Sequence, residues 1–123
     1  MTDIVRLVTN PRRGRAVVHN GVVYVGGQAA SDRTQDVRGQ TAEALAKLDR
    51  VLIDAGTDMN RLLTAQIWLK DIGRDFAGFN EVWDARIGPD IAPARATAQC
   101  EMGAPDVLVE IIATAAMPMQ QNG

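Results

Sequence analysis

Asn20-Gly21 interrupts the run RAVVHNGVVYVGGQ (15–28), and no other dipeptide limits the folding choices of this chain so tightly. Both residues tolerate the positive φ of a two-residue type I′ turn, and the residues on either side are rich in β-branched side chains. The pattern predicts a hairpin with strands at about 15–19 and 22–28, and a weaker strand at Ile4–Val8. With a sheet committed this early, the remaining segments must extend it or cover it. Segment 36–55 repeats apolar residues at helical spacing through Val37, Ala44, Leu45, Leu48, Val51 and Leu52, and Gly56 offers a left-handed stop. LLTAQIWLKD (62–71) reads as a strand, and Phe76, Phe79, Trp83 and Ile87 place a second helix at about 75–87, ended by Gly88-Pro89. Arg95–Met102 and Val107–Ala116 read as two closing strands joined by Gly-Ala-Pro-Asp.

The predicted order is β-β-β-α-β-α-β-β, an α+β fold in which both helices pack on one side of a mixed sheet. A chain of 123 residues supports a single core, so residues 1–123 are expected to form one domain, with 117–123 as a loose tail. Two helices on one side leave the other side of the sheet uncovered. Yet VLVEIIATAA, VVYVGG and LLTAQIWL carry apolar residues on both alternating faces, as strands covered on both sides do. A wet second face would expose a large apolar patch, so a second copy of the chain is expected to cover it.

Charge excludes other classes. The formal net charge is −2, which gives no general attraction to nucleic acid or to an anionic membrane. The one dense basic cluster, Pro11-Arg12-Arg13-Gly14-Arg15, reads as a solvated loop. A single cysteine, Cys100, excludes an intrachain disulfide, and with one histidine the usual zinc patterns are absent. No apolar run reaches the length of a signal peptide or a membrane span, so a cytoplasmic protein is expected.

Two charges break the strand pattern. Glu110 interrupts VLV-E-IIATAA on the face of Leu108, Ile112 and Thr114, where a carboxylate is costly unless paired, hydrogen-bonded or protonated. Either it reaches water at a strand end or it serves a site. Arg95 shares a face with Thr97 and Gln99, either as a structural ion pair or as a fork for a planar carboxylate. A symmetric hairpin around 103–106 would put Gln99 opposite Glu110 and leave Arg95 about 13 Å along. A ligand lodged between subunits is then a candidate partner for each. Asn80 lies on the apolar stripe of the second helix, where its amide is expected to bond to backbone across the packing interface. Cys100 reads as small core filler.

GVVYVGGQ, QTAEALAKLDRVLIDAG, DFAGFNEVW, and APAR followed fifteen residues after its arginine by the glutamate of VEIIATAA together resemble the RidA/YjgF family over residues 13–116. The resemblance implies a chorismate-mutase-like α+β fold, a homotrimer with ligand sites in the clefts between subunits, and no metal or organic cofactor. It implies a hydrolytic deaminase of small enamine or imine acids, giving 2-oxo acids and ammonia. Arg95 then corresponds to the carboxylate-binding arginine, Glu110 to the acid that handles the water, and Asn80 to the supporting asparagine. The cleft lining would include Gly26, Gly27, Thr97 and Arg13. Three of these depart from the deaminase branch: Arg13 stands near its tyrosine, Gly26 at its serine and Thr97 at its cysteine. Arg13 and Arg15 would make the cleft more cationic and favour a more anionic ligand. The alternative is a non-catalytic trimeric binding or regulatory protein for a small carboxylate metabolite. An endoribonuclease, attributed to some relatives, has the acidic balance and the lone histidine against it. No membrane or nucleic-acid partner is expected.

Overall fold

The computed structural model describes residues 3–119. The strands are β1 (Val5–Leu7), β2 (Ala16–His19), β3 (Val22–Gln28), β4 (Leu62–Leu69), β5 (Ala94–Gln99) and β6 (Val109–Ala116), with helices α1 (Val37–Ala55) and α2 (Ile72–Arg86). They form one six-stranded mixed sheet in the order β1-β2-β3-β6-β4-β5, the α+β architecture expected.

The β2–β3 hairpin turns at Asn20 (φ 51°) and Gly21 (φ 77°), the two positive angles that a type I′ turn demands. Helix α1 starts where Asp36 accepts a hydrogen bond from Gly39 N and stops where Gly56 turns left-handed at φ 99°. Helix α2 begins earlier than predicted, because the Asp71 side chain accepts from Arg74 N and caps a first turn in which Ile72, four residues before Phe76, extends the apolar stripe onto the core. Ala44, Leu45, Leu48, Val51 and Leu52 of α1 and Phe79 and Trp83 of α2 pack on Val23, Val25, Ala65, Ile67, Leu69, Val109, Ile111, Ala113 and Ala115 of the sheet. Burying each leucine-sized side chain there contributes about 1.5–3 kcal/mol.

The expected β5–β6 hairpin does not form. Strand β4 lies between them, antiparallel to β6 and parallel to β5, with Ala65 opposite both Arg95 and Ala113. The reason is β4-α2-β5, a strand–helix–strand crossover that returns the chain parallel to its first strand. Gly-Ala-Pro-Asp therefore belongs to a connection that passes the end of β4: Cys100 N donates to Leu69 O and Lys70 N to Leu108 O. Buried Gln40 anchors this connection, its Nε2 donating to Asp106 O at 2.9 Å and its Oε1 accepting from Leu108 N at 2.9 Å. Cys100, at the start of the connection, is half-buried beside Met102 and is not core filler.

The face away from the helices is open. Tyr24 (50% exposed) and Trp68 (38% exposed) stand on it with half-buried Ile112, and Thr64 and Thr114 share a 2.6 Å hydrogen bond there. Of the tail, Met117 N donates to Gly21 O at 2.9 Å, while residues 120–123 lie outside those described.

Candidate functional site

Glu110 alternates with Val109 and Ile111, which are buried under the helices, so its side chain leaves the sheet on the opposite face. Its place is set by β3. The β3–β6 register shifts between Val25 and Gln28, and this irregularity carries Gly26 and Gly27 past the glutamate. A Cβ on Gly27 would lie 2.8 Å from Glu110 Cδ, so only glycine lets the carboxylate lie against the backbone here. Gly26 is different: a Cβ there would meet nothing closer than Arg15 O at 3.5 Å, an ordinary contact. Position 26 thus has room for a side chain.

Around Glu110 opens a cleft of about 280 Å³, lined also by Arg13, Arg15, Lys47 and Arg50. The apolar surroundings that its strand suggests are absent on this side, and four cations face one carboxylate. Arg13 and Arg15, both exposed, come to this cleft from the basic loop before β2. Lys47 and Arg50 come from the polar side of α1, some sixty residues away in sequence, and only the fold could bring them here. Lys47 Nζ donates to Ala29 O at 2.8 Å and Ser31 Oγ at 2.6 Å, tying the segment after β3 to α1. Glu43 holds the same segment by accepting from Ser31 N at 2.6 Å, and that bond is the main cause of a pKa below the usual glutamate value.

Arg95 belongs to a different place. It faces the helix layer from the edge strand, with its Cζ 5.1 Å from the ring centre of Trp83, 5.4 Å from Phe79 and 6.0 Å from Phe76. The three rings stand at i, i+3 and i+7 on α2 and so share one face of the helix. In the sequence they read only as a core stripe. Such cation–π contacts contribute about 0.5–2 kcal/mol each and hold the guanidinium without using its N–H groups. Burial lowers the Arg95 pKa from its usual value, while the charge of Asp84 works against that shift. Among the described residues the guanidinium has no hydrogen-bond acceptor and no ion-pair partner. Close by in the fold, Thr97 Oγ1 and Asn80 Oδ1 are buried without a hydrogen-bond partner among the described residues. The backbone bond expected of the Asn80 amide is therefore not made by its oxygen among the described residues.

The site residues thus fall into two groups. Gly26, Gly27, Arg13 and Glu110 gather at the end of β3 and start of β6, and Arg95, Thr97 and Asn80 gather between β5 and α2. Arg95 is level with Ala65 and Glu110 with Trp68, three residues further along β4, so the two side chains leave opposite faces. Two strand spacings across and three residues along put their Cα atoms about 14 Å apart. Among the described residues, no three His, Cys, Asp or Glu side chains converge as a metal would require, and no helix is long and apolar enough to cross a membrane.

Comparison with known proteins places this arrangement in context. The pattern of the endoribonuclease L-PSP family matches residues 7–117. The chain is 37% identical over 114 residues to the RutC family protein YoaB of Escherichia coli, covering 93% of this chain and 98% of that one. It is 32% identical over 117 residues to a RutC family protein of Haemophilus ducreyi, covering 95% and 99%. Among solved structures, a member of the YjgF protein family from Neisseria meningitidis superposes with a TM-score of 0.91 at 36% identity, over 96% of this chain and 98% of that one.

Proposed function

The chain belongs to the RidA/YjgF family, and from that premise we propose that it is a homotrimer whose intersubunit clefts hydrolyse small enamine or imine acids to 2-oxo acids and ammonia. One observation carries the reading: Arg95 and Glu110 leave opposite faces of one sheet, with β4 between them. A ligand of a few carbon atoms cannot touch both within one chain. The β5 edge of one copy, set against the open face around Tyr24 and Trp68 of the next, would bring Arg95 of the one against Glu110 of the partner subunit. An apolar face of this kind is what self-association buries.

In that cleft the Arg95 fork takes the substrate carboxylate with N–H groups that nothing else occupies. Glu110 accepts a proton from water as the water oxygen bonds to the imine carbon and the π pair moves to nitrogen. The C–N bond then breaks, the nitrogen leaves as ammonia carrying both water protons, and the carbon keeps the water oxygen as a ketone. One water enters and one ammonia leaves, with no change in oxidation state. An enamine first tautomerises to the imine.

A second reading keeps the cleft and drops the chemistry. Gly26 and Thr97 stand where the deaminase branch has serine and cysteine, and Arg13 stands near its tyrosine, which favours a trimeric binder of a small carboxylate metabolite. Ammonia release from freshly generated imino acids separates the two. Glu110→Gln is expected to keep 2-oxo acid affinity while turnover falls about 10²–10⁴-fold. Equal turnover in wild type and variant would remove Glu110 from the mechanism, and no turnover in either would establish the binder.

A further inference from the structure

The Glu110 cleft holds more cationic charge than a simple imino acid can use. Two of its four cations are already engaged: Lys47 donates to Ala29 O and Ser31 Oγ, and Arg50 pairs with Asp54 at 3.3 Å. The side chains of Arg13 and Arg15 have no ion-pair partner among the described residues, although Glu110 lines the same cleft. Glu110 is equally without a hydrogen bond or ion pair there. The scaffold keeps these charges from meeting. Glu110 lies back against Gly27, where a Cβ would be 2.8 Å from its Cδ. Arg13 is set by a turn in which its backbone N donates to Asn10 Oδ1 at 3.0 Å and its carbonyl accepts from Asn10 N at 2.8 Å. Arg15 is set by its backbone, its N–H donating to Leu7 O at 2.9 Å and its carbonyl accepting from Gly26 N at 3.0 Å.

Two cations and a carboxylate held apart around about 280 Å³ suit a ligand that carries both a nitrogen and an anionic group. Given the trimeric reading above, on which this inference rests, Arg95 of the neighbouring subunit already takes the carboxylate next to the imine carbon, and Glu110 attends the nitrogen and the water. Arg13 and Arg15 are left for an anion further along the substrate. We propose that the preferred substrates are 2-imino acids whose side chain carries a second anionic group, a carboxylate or a phosphate. A neutral side chain would leave both guanidinium groups unused, whereas a second anion gains charge-assisted hydrogen bonds that a solvated arginine does not otherwise make. Their supply would come from dehydrogenation or elimination reactions on acidic or phosphorylated amino acids. The lining includes no aromatic side chain on which a nucleic-acid base could stack, so the anion in question is that of a small molecule.

The test titrates product-like 2-oxo acids into the full-length protein by calorimetry: 2-oxobutyrate with one anion, oxaloacetate with a second carboxylate, and 3-phosphohydroxypyruvate with a phosphate. Wild type is compared with the double variant Arg13→Ala/Arg15→Ala, with its lysine counterpart, and with Arg95→Ala. At least one of the two acids with a second anionic group is expected to bind about tenfold or more tightly than 2-oxobutyrate, and which one it is identifies the group recognised. The double alanine variant should lose that preference, its affinity for the favoured acid falling about tenfold or more toward that for 2-oxobutyrate, and the lysine pair should keep part of it. Equal affinity for all three acids in wild type, or an unchanged preference in the double alanine variant, overturns the inference. If 2-oxobutyrate still binds and Arg95→Ala abolishes that binding, the proposed function survives the loss. If none of the acids binds wild type, both fall.

Discussion

Arg95 and Glu110 sit on one sheet, and each is held in the way the other is not. Arg95 lies against three aromatic rings on the helix-covered side, a cation held by cation–π contacts with the charge of Asp84 nearby. Glu110 lies on the other side, against glycine backbone in a cleft rimmed by guanidinium and ammonium groups. The first site is prepared by desolvation and the second by electrostatics. Both lack an anion. On the function proposed above, a single chain contains two half-sites, and β4, running between them, keeps them apart. Completion then depends on the surface that is apolar and open, the face of Tyr24 and Trp68.

The severest way to break this pairing is to keep the chains apart. Trp68→Lys places a charge at the centre of the open face, directly across from Glu110 on β6, while Ile67 and Leu69 stay in the core. The variant should run as a folded monomer in light scattering and lose turnover altogether. A monomer that retained turnover would show that one chain suffices.

Gly27→Ala disturbs one half-site only. The new Cβ displaces Glu110, and a misplacement of about 1 Å at a reacting group costs on the order of 10²-fold in rate. Turnover should fall by that order with 2-oxo acid affinity little changed, since Arg95 is untouched. Gly26→Ala serves as the control, because its Cβ meets only an ordinary contact and should leave turnover near wild type.

The smallest effect sharpens the electrostatic half. Glu43 accepts from Ser31 N and Asp32 N and so fixes the segment between β3 and α1 that roofs the Glu110 cleft. Its pKa is lowered in the folded protein, chiefly by the Ser31 N–H and against some desolvation. A depressed carboxylate contributes stability that is complete above its unfolded value and is lost as pH falls through the folded one. Glu43→Gln should therefore melt slightly below wild type at neutral pH, and the gap should close in acid below the ordinary glutamate range. A gap of constant size across that range would remove the Glu43 charge from the anchoring.

What could be read from the chain before its fold was known follows the reach of each signal. The Asn20-Gly21 turn, the α1 stripe and the Gly56 stop are local, and each lies where local chemistry puts it. Glu110 and Arg95 were legible as anomalies, because a charge inside an alternating apolar strand conflicts with its neighbours. The β5–β6 hairpin was misread because Gly-Ala-Pro-Asp has the composition of a turn. What decides the pairing is the crossover through α2, and the Gln40 amide that holds the connection 100–108 from the far side of the sequence. Lys47 and Arg50 carried no signal at all, since charged residues on the polar side of a helix are the ordinary solvated case. Phe76, Phe79 and Trp83 were visible as a stripe, but nothing in their spacing told that an arginine would lie across them.

The claim that the site is shared between chains has a direct test in mixed trimers. Arg95→Ala and Glu110→Gln proteins, each expected to be inactive alone, are unfolded together in equal amounts and refolded. In a ring of subunits joined by one repeated interface, an interface in which the first variant supplies Glu110 and the second supplies Arg95 contains both native groups. Random assembly makes about a quarter of the interfaces of this kind, so ammonia release should return to about a quarter of the wild-type rate. If the mixture stays as inactive as its two components although mixed trimers have formed, Arg95 and Glu110 do not serve one site across the interface, and the two half-sites described here are not parts of a whole.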